Sequence, residues 1–171
     1  MSYKPAPKES LIDAATVREI LDYDPITGAF TWRKGSRNKV KAGMPAGYIL
    51  KSSGSLHIGI DRVKYAAHRL AWLHFYGEWP NGLIDHINGV RLDNSIANLR
   101  AVDDATNVQN QRRPGKRNTT GFLGVTRASG KYQAHLSVNK KFFYVGLFDT
   151  PEEAHQAYLT AKRKLHPGCT I

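Results

Sequence analysis

The sequence has a single cysteine, no long apolar run and comparatively few acidic side chains. With Cys169 alone, the chain can form neither an internal disulfide nor a cysteine-based zinc site, a pattern that fits a reducing cytosol. No apolar stretch approaches the roughly 20 residues that a membrane-spanning helix requires. The opening residues also lack the apolar segment of a secretory signal. We therefore expect a globular, cytoplasmic protein without a membrane partner.

The shortage of acidic residues leaves a strong and uneven positive charge. The 171 residues include 25 Lys and Arg against 14 Asp and Glu, a net charge of +11. Residues 112–171 contain 11 basic and three acidic residues, a net charge of +8, whereas residues 1–111 have a net charge of +3. Such a surplus favours a polyanionic partner, and nucleic acid is commoner than a membrane surface. The last third of the chain is therefore predicted to make the phosphate contacts.

Turn residues and apolar periodicity predict an α+β protein with two domains and a linker. Residues 1–111 read as a helix at 11–23, a strand at 29–32, a small antiparallel meander over 47–68 and a helix that ends near Gly77. Residues 112–121 are basic and contain no apolar side chain, which predicts a linker along a phosphate backbone. Residues 122–171 read as three strands and a helix, with Thr150 as its N-cap and Pro151 in its first turn.

Residues 85–107 combine the side chains that phosphodiester cleavage requires. Asp85 and His86 follow an apolar approach, and several asparagines follow them, among them Asn98 and Asn107. A carboxylate and an amide oxygen can bind one hard divalent cation, and a neutral imidazole can accept a proton from water. The same residue types also occur in capped turns with a hydrogen-bonded histidine, so composition alone leaves both interpretations open. Because adjacent strand residues point to opposite faces, Asp85 and His86 can act together only at a strand end or distortion.

The segment HRLAW…IDHINGVRLDNSIANLRAVDDATNVQNQ resembles the HNH endonucleases of phages and group I introns. The resemblance includes asparagines twelve and twenty-one residues after the histidine. It implies a ββα-metal fold in which His86 is the general base and Asn98 braces the loop that orients it. It also implies that Asp85 and Asn107 bind one divalent metal ion, Mg²⁺ or Mn²⁺. His68 and Asn94 are candidates for supporting roles.

The segment GFLGVTRASGKYQAHLSVNKKFFYVGLFDTPEEAHQAYLTAKRKL resembles AP2/ERF DNA-binding domains. The resemblance implies a three-stranded antiparallel sheet that lies in the DNA major groove and packs on one helix. Plant domains of this type carry more arginine and tryptophan on these strands, so their base preference does not transfer. With the linker, the candidate DNA-binding residues are Arg112, Arg113, Lys116, Arg117, Arg127, Lys131, Gln133, His135, Ser137, Lys140 and Lys141.

Together these patterns predict a metal-dependent DNA endonuclease of the homing or phage type, in a bacterial or phage-infected cell. Its expected partner is double-stranded DNA, with no small-molecule cofactor and a monomeric state. One alternative is a non-catalytic DNA-binding regulator that uses the AP2-like domain. Another is a basic RNA-binding or structural protein, which would leave the asparagine spacing without a cause.

Overall fold

The computed structural model describes Glu9 and residues 11–35, 40–138 and 141–170, without the side chains of residues 104 and 105. The chain divides into two compact units, Met1–Val102 and Asp103–Ile171. The sequence analysis placed the end of the first domain at residue 111. Because the second unit begins at Asp103, it contains the predicted linker 112–121. Within the described ranges, no helix combines the length and the apolarity needed to cross a membrane.

The described residues of the first unit form two α-helices, a 3-10 helix at Ile96–Asn98 and three small antiparallel sheets. Its sheets pair β1 with β2, β3 with β4 and β5, and β6 with β7. In chain order the elements are α1 (Ala14–Ile20), β1 (Leu21–Tyr23), β2 (Phe30–Trp32), β3 (Tyr48–Leu50), β4 (Ser55–Ile60), β5 (Val63–Ala66), α2 (Ala67–Tyr76), β6 (Leu83–His86) and β7 (Leu99–Val102). The predicted meander over 47–68 is confirmed as the sheet β3-β4-β5.

The helix predicted over 11–23 is shorter in the structure. It begins after Asp13, whose side chain accepts a hydrogen bond from the backbone N–H of Thr16, and it ends at Ile20. Residues Leu21–Tyr23 form β1 and pair with Phe30–Trp32. Leu21 fits the apolar spacing of a helix, but it is the first residue of β1 and its side chain is buried in the core from that strand. The prediction for these last three residues was wrong.

Helix α2 lies at the centre of the first unit's core. Its Leu70, Ala71 and Leu73 are buried with Val17 of α1 and Ile58 of β4. The helix ends at Gly77, whose φ of 86° is a left-handed conformation that favours glycine. This core joins α1, the meander and the β6–β7 hairpin in one hydrophobic cluster, because Leu99 of β7 is buried in it as well.

A buried ion pair connects α2 to the chain on both sides of it. Glu9 is only 2% exposed, and its two carboxylate oxygens accept from Nε and Nη2 of Arg69 at 2.5 and 3.0 Å. The same guanidinium donates through Nη1 to the carbonyl of Gly82 at 2.8 Å. Gly82 directly precedes β6, so Arg69 fixes the entry into the strand that carries Asp85 and His86.

The second unit contains a short helix followed by a three-stranded antiparallel sheet and a long helix. Its elements are α3 (Asp104–Gln109), β8 (Val125–Ala128), β9 (Lys131–Val138), β10 (Lys141–Phe148) and α4 (Pro151–Leu165), with the strand order β10-β9-β8. Thr150 and Glu153 form the capping box that opens α4, so the predicted start of this helix is confirmed. Ala134 and Leu136 of β9 pack against Ala154 and Tyr158 of α4 in the core of this unit.

We predict that Arg69→Ala strongly destabilises the first unit. The substitution leaves the buried Glu9 carboxylate without its guanidinium, and breaking such a pair costs about 3–5 kcal/mol. All three tryptophans lie in the first unit, so their fluorescence during urea unfolding reports on it. The exposed Lys51→Ala serves as the control, and a loss no larger than in this control would contradict the role of Arg69.

Candidate active site

Asp85 and His86 occupy the last two positions of β6. The strand ends at His86, and the hairpin register places Asp85 opposite Arg100 and His86 opposite Leu99. Both side chains are buried at 8% exposure. The expectation that this pair lies at a strand end is therefore met. Both residues are still paired with β7, and the charge of Asp85 acts on the His86 ring from the neighbouring position in the chain.

The loop between β6 and β7 is closed by the side chain of Asn98. Its Oδ1 accepts from the backbone N–H of Asn88 at 2.9 Å, and its Nδ2 donates to the carbonyl of Asp93 at 2.8 Å. The backbone carbonyl of Asn98 also accepts from the N–H of Ile87 at 2.9 Å. Asn98 thus bonds both arms of the loop, beginning with the residue that follows His86.

Asn94 sets the orientation and the tautomer of the His86 ring. Its Oδ1 lies 3.2 Å from Nε2 of His86, and Asn94 itself is 1% exposed. An amide oxygen can only accept, so the proton of the neutral ring resides on Nε2 and the basic lone pair on Nδ1. Burial lowers the pKa of His86, although the hydrogen bond to Asn94 and the charge of Asp85 oppose that shift. The imidazole is therefore neutral at pH 7, the form that a general base requires.

The carboxylate of Asp85 forms an ion pair across the hairpin. Its Oδ2 accepts from Nε and Nη2 of Arg100 at 3.0 and 2.8 Å. A buried carboxylate beside an imidazole offers the hard oxygen donor that Mg²⁺ and Mn²⁺ prefer. The described residues contain no cluster of three or more His, Cys, Asp or Glu side chains suited to a metal. A divalent ion at Asp85 would accordingly have at most one further ligand of these four types from the described residues, and amide oxygens or water would supply the others.

The turn between β1 and β2 packs against the β6–β7 loop, a contact that the sequence analysis did not predict. A Cβ on Gly28 would lie 2.3 Å from the backbone carbonyl carbon of Asn94, and Gly28 has a φ of 74°. The hydroxyl of Tyr23 donates to the carbonyl of Asn94 at 2.7 Å, and the N–H of Ile96 donates to the carbonyl of Pro25 at 2.9 Å. The DPITG turn was visible in the sequence, but its contact with Asn94 depends on the tertiary fold.

His68 and Asn107 occupy different surroundings. The ring of His68, at the start of α2, meets the ring of His86 edge to face, with centroids 5.2 Å apart. Asn107 lies in α3, which begins after the N-cap Asp103 and belongs to the second unit. The structure therefore brings together His86, Asn94 and Asn98, with His68 against the histidine, and it pairs Asp85 with Arg100. Asn107 is part of the other compact unit.

The candidate DNA-binding residues of the C-terminal sheet lie on both of its faces. Alternate residues of β9 pack toward α4, so Lys131, Gln133, His135 and Ser137 share the outer face, as predicted. Cross-strand pairing adds three exposed side chains to this face, namely Phe142, Tyr144 and Leu147. Arg127 instead pairs with Tyr132, lies over its ring at 5.7 Å, and so belongs to the opposite face.

The other candidate contacts lie around this sheet. Nζ of Lys131 forms an ion pair with Asp149 at 2.8 Å, and Arg112 donates to the hydroxyl of Thr170 at 2.8 Å. The side chains of Arg113, Lys116, Arg117 and Lys141 are exposed. Lys140 lies outside the described residues.

With this geometry established, comparison with known proteins identifies the motif. Residues 65–109 match the HNH endonuclease family. The matched range contains Asp85, His86, Asn98 and Asn107. It does not reach residues 121–166, whose resemblance to AP2/ERF domains stays a prediction. No curated protein and no solved structure matches the chain.

We predict that Asn98→Ala destabilises the first unit by about 2–4 kcal/mol, because it leaves a backbone N–H and a carbonyl of the HNH loop without their partner. Urea unfolding followed by tryptophan fluorescence measures the effect. The exposed Asn81→Ala is the matched control and is expected to change stability by less than about 0.5 kcal/mol. Equal effects in both variants would show that Asn98 does not hold the loop.

Proposed function

We propose that this protein is a metal-dependent DNA endonuclease in which His86 is the general base. The observation that carries the proposal is the arrangement at the end of β6. There, a buried imidazole whose Nε2 lies 3.2 Å from Oδ1 of Asn94 directly follows Asp85 in the chain, inside the segment that matches HNH endonucleases. The lone pair on Nδ1 would take the proton of the attacking water.

Asp85 is the proposed carboxylate ligand of a divalent ion, and Arg100 holds one of its oxygens in place. The ion would stabilise charge on the phosphate and on the leaving oxygen. Asn107, which the HNH resemblance implies as the second oxygen donor, lies in α3 and remains a sequence-based assignment. The buried asparagines of the β6–β7 loop would orient His86 without touching the substrate.

The C-terminal sheet and the basic segment 112–117 are the proposed DNA-holding part. The net charge of +8 over residues 112–171 supports backbone binding, which is sensitive to salt. The outer face of the sheet offers Gln133, His135 and Ser137 for base edges, and the exposed rings of Phe142 and Tyr144 for apolar contact. Placing the cut by this second part would give the site selection of a homing or phage endonuclease.

We predict that His86→Ala lowers the rate of plasmid cleavage by at least about 10²-fold, since general bases contribute roughly 10²–10⁴-fold. DNA affinity in EDTA should stay within a few-fold of the original protein, because His86 acts on water rather than on docking. The assay converts supercoiled plasmid to open-circle and linear forms in Mg²⁺, and EDTA should abolish both products. His57→Ala, on β4 outside the HNH match, is the control histidine variant.

The same experiment separates the alternatives. Cleavage unchanged by His86→Ala would remove this residue from the mechanism, and full activity in EDTA would contradict the metal. DNA binding by the original protein without cleavage in Mg²⁺ or Mn²⁺ would favour the non-catalytic regulator.

We predict that replacing Lys116 and Arg117 together by Gln flattens the salt dependence of DNA binding. Each phosphate contact contributes about 0.9 to the slope of log K against log salt, so the slope should fall by roughly 1–2. Fluorescence anisotropy in EDTA at several salt concentrations measures it. Lys51→Gln in the first unit is the control, and an identical slope in the double variant would contradict phosphate contacts by this segment.

A further inference from the structure

The loop between β6 and β7 carries two exposed apolar side chains and a cation at its tip. We name residues 90–92 the loop tip. Val90 is 52% and Leu92 48% exposed, and the exposed Arg91 lies between them in the chain. Turns are usually formed by polar residues and glycine. Folding of the first unit covers only about half of each apolar side chain, so the rest of their surface is available to a partner.

Hydrogen bonds of Asn88 and Asp93 close the base of the loop tip. Nδ2 of Asn88 donates to Oδ2 of Asp93 at 2.7 Å, and its Oδ1 accepts from the N–H of Val90 at 2.8 Å. The N–H of Asp93 donates to the carbonyl of Val90 at 3.1 Å. Gly89 has a φ of 72°, a left-handed conformation that glycine adopts without strain. The loop tip is therefore presented by a hydrogen-bonded turn.

Arg91 connects the loop tip to the meander. Its Nη1 donates to the carbonyl of Ser53, in the turn between β3 and β4. A guanidinium carries several N–H donors in a fixed fork, and it binds phosphate oxygens well. The bond to Ser53 can therefore hold the exposed Arg91 side chain while its other donors bind an anion.

The loop tip begins beside the proposed general base. The N–H of Gly89 donates to the carbonyl of His86 at 2.8 Å, and Val90 is the next residue. Adjacent Cα atoms lie about 3.8 Å apart, and the phosphates of one DNA strand recur about every 3.4 Å along the helix axis. Besides burial, the positive charge of Arg91 lowers the pKa of His86, in agreement with this proximity. DNA bound at His86 would thus meet the loop tip within a few nucleotides of the cut.

We infer that the loop tip is an apolar wedge that enters the minor groove of the substrate DNA beside the bond that is cut. Val90 and Leu92 insert at a base step, and Arg91 binds a neighbouring phosphate. This inference rests on the proposed function, because it takes the position of the DNA from His86. Apolar side chains that insert from the minor groove partially unstack the bases and kink the duplex. The loop tip would therefore distort the DNA at the point of cleavage.

The test asks whether the full chain unwinds DNA through Val90 and Leu92, because unstacking a base step unwinds the duplex. Relaxed closed-circular plasmid is incubated with the protein in EDTA, which prevents metal-dependent cleavage, and with a topoisomerase that needs no metal ion. The topoisomer distribution is measured after the proteins are removed. The original protein should shift this distribution, and Val90→Ser combined with Leu92→Ser should lose most of the shift.

Two further variants separate the wedge from a change in folding. Val90→Ile combined with Leu92→Met keeps the loop tip apolar and should retain the topoisomer shift. Ile49→Ser replaces a similarly exposed apolar side chain of β3, 55% exposed, and should also retain it.

The salt dependence of DNA binding tests Arg91 separately from the apolar side chains. Arg91→Gln should lower the slope of log K against log salt by about 0.9, the contribution of one phosphate contact. The double serine variant should bind DNA several-fold more weakly with the slope unchanged, because apolar side chains release no counterions. Fluorescence anisotropy with a labelled duplex in EDTA measures both. An unchanged slope with Arg91→Gln overturns the phosphate contact.

The outcomes distinguish this inference from the proposed function. An equal topoisomer shift with the original protein and the double serine variant overturns the wedge, whatever the cleavage assay shows. So does the absence of any shift at a saturating concentration of the original protein. If only the double serine variant loses the shift while cleavage survives His86→Ala, the wedge is supported and the proposed general base is wrong.

Discussion

The pair of hydrogen bonds made by the Asn98 side chain is the constraint on which the candidate active site depends. The loop between β6 and β7 is long for a hairpin, and Asn94 and Asn98 are buried within it, so the backbone polar groups next to them need partners inside the protein. Asn98 supplies one donor and one acceptor to opposite arms of that loop. With the loop fixed in this way, Asn94 stays buried against His86 and determines which ring nitrogen carries the proton. The position of the proton on the His86 ring thus depends on the hydrogen bonds by which Asn98 holds the loop.

The rest of the first unit supports the same loop from several directions. The β1–β2 turn approaches Asn94 so closely that residue 28 has no room for a side chain. Arg69 donates to the carbonyl of Gly82, directly before β6, and forms an ion pair with the buried Glu9. Arg100 extends from the neighbouring strand to the Asp85 carboxylate. These contacts are far apart in sequence, and together they leave the Asp85–His86 pair little freedom, as a preorganised site requires.

The boundary between the two units runs through the segment that matches HNH endonucleases. The match covers residues 65–109, whereas the first compact unit ends at Val102. The short helix α3, which falls inside the match, is therefore grouped with the second unit, where Gly168 and Thr170 form hydrogen bonds at its C-terminal end. Such a short helix depends on tertiary contacts for its stability. In this protein, the DNA-holding part that we propose and the last element of the nuclease motif are one compact unit.

The sequence by itself determined the residue types of the site, the order of the strands and helices apart from β1, the N-cap at Thr150 and the alternation that places Gln133, His135 and Ser137 on one sheet face. These features depend on local spacing, which a single chain displays directly. It misjudged the end of α1, because Leu21 fits a buried helix face and a buried strand equally well. Only the tertiary structure decided that Asn94 orients His86, that Arg100 pairs with Asp85, that Gly28 packs against the loop and that Gly168 and Thr170 bond the end of α3. Each of these contacts joins residues whose separation in sequence has no periodicity, so their chemistry appears only when the fold brings them together.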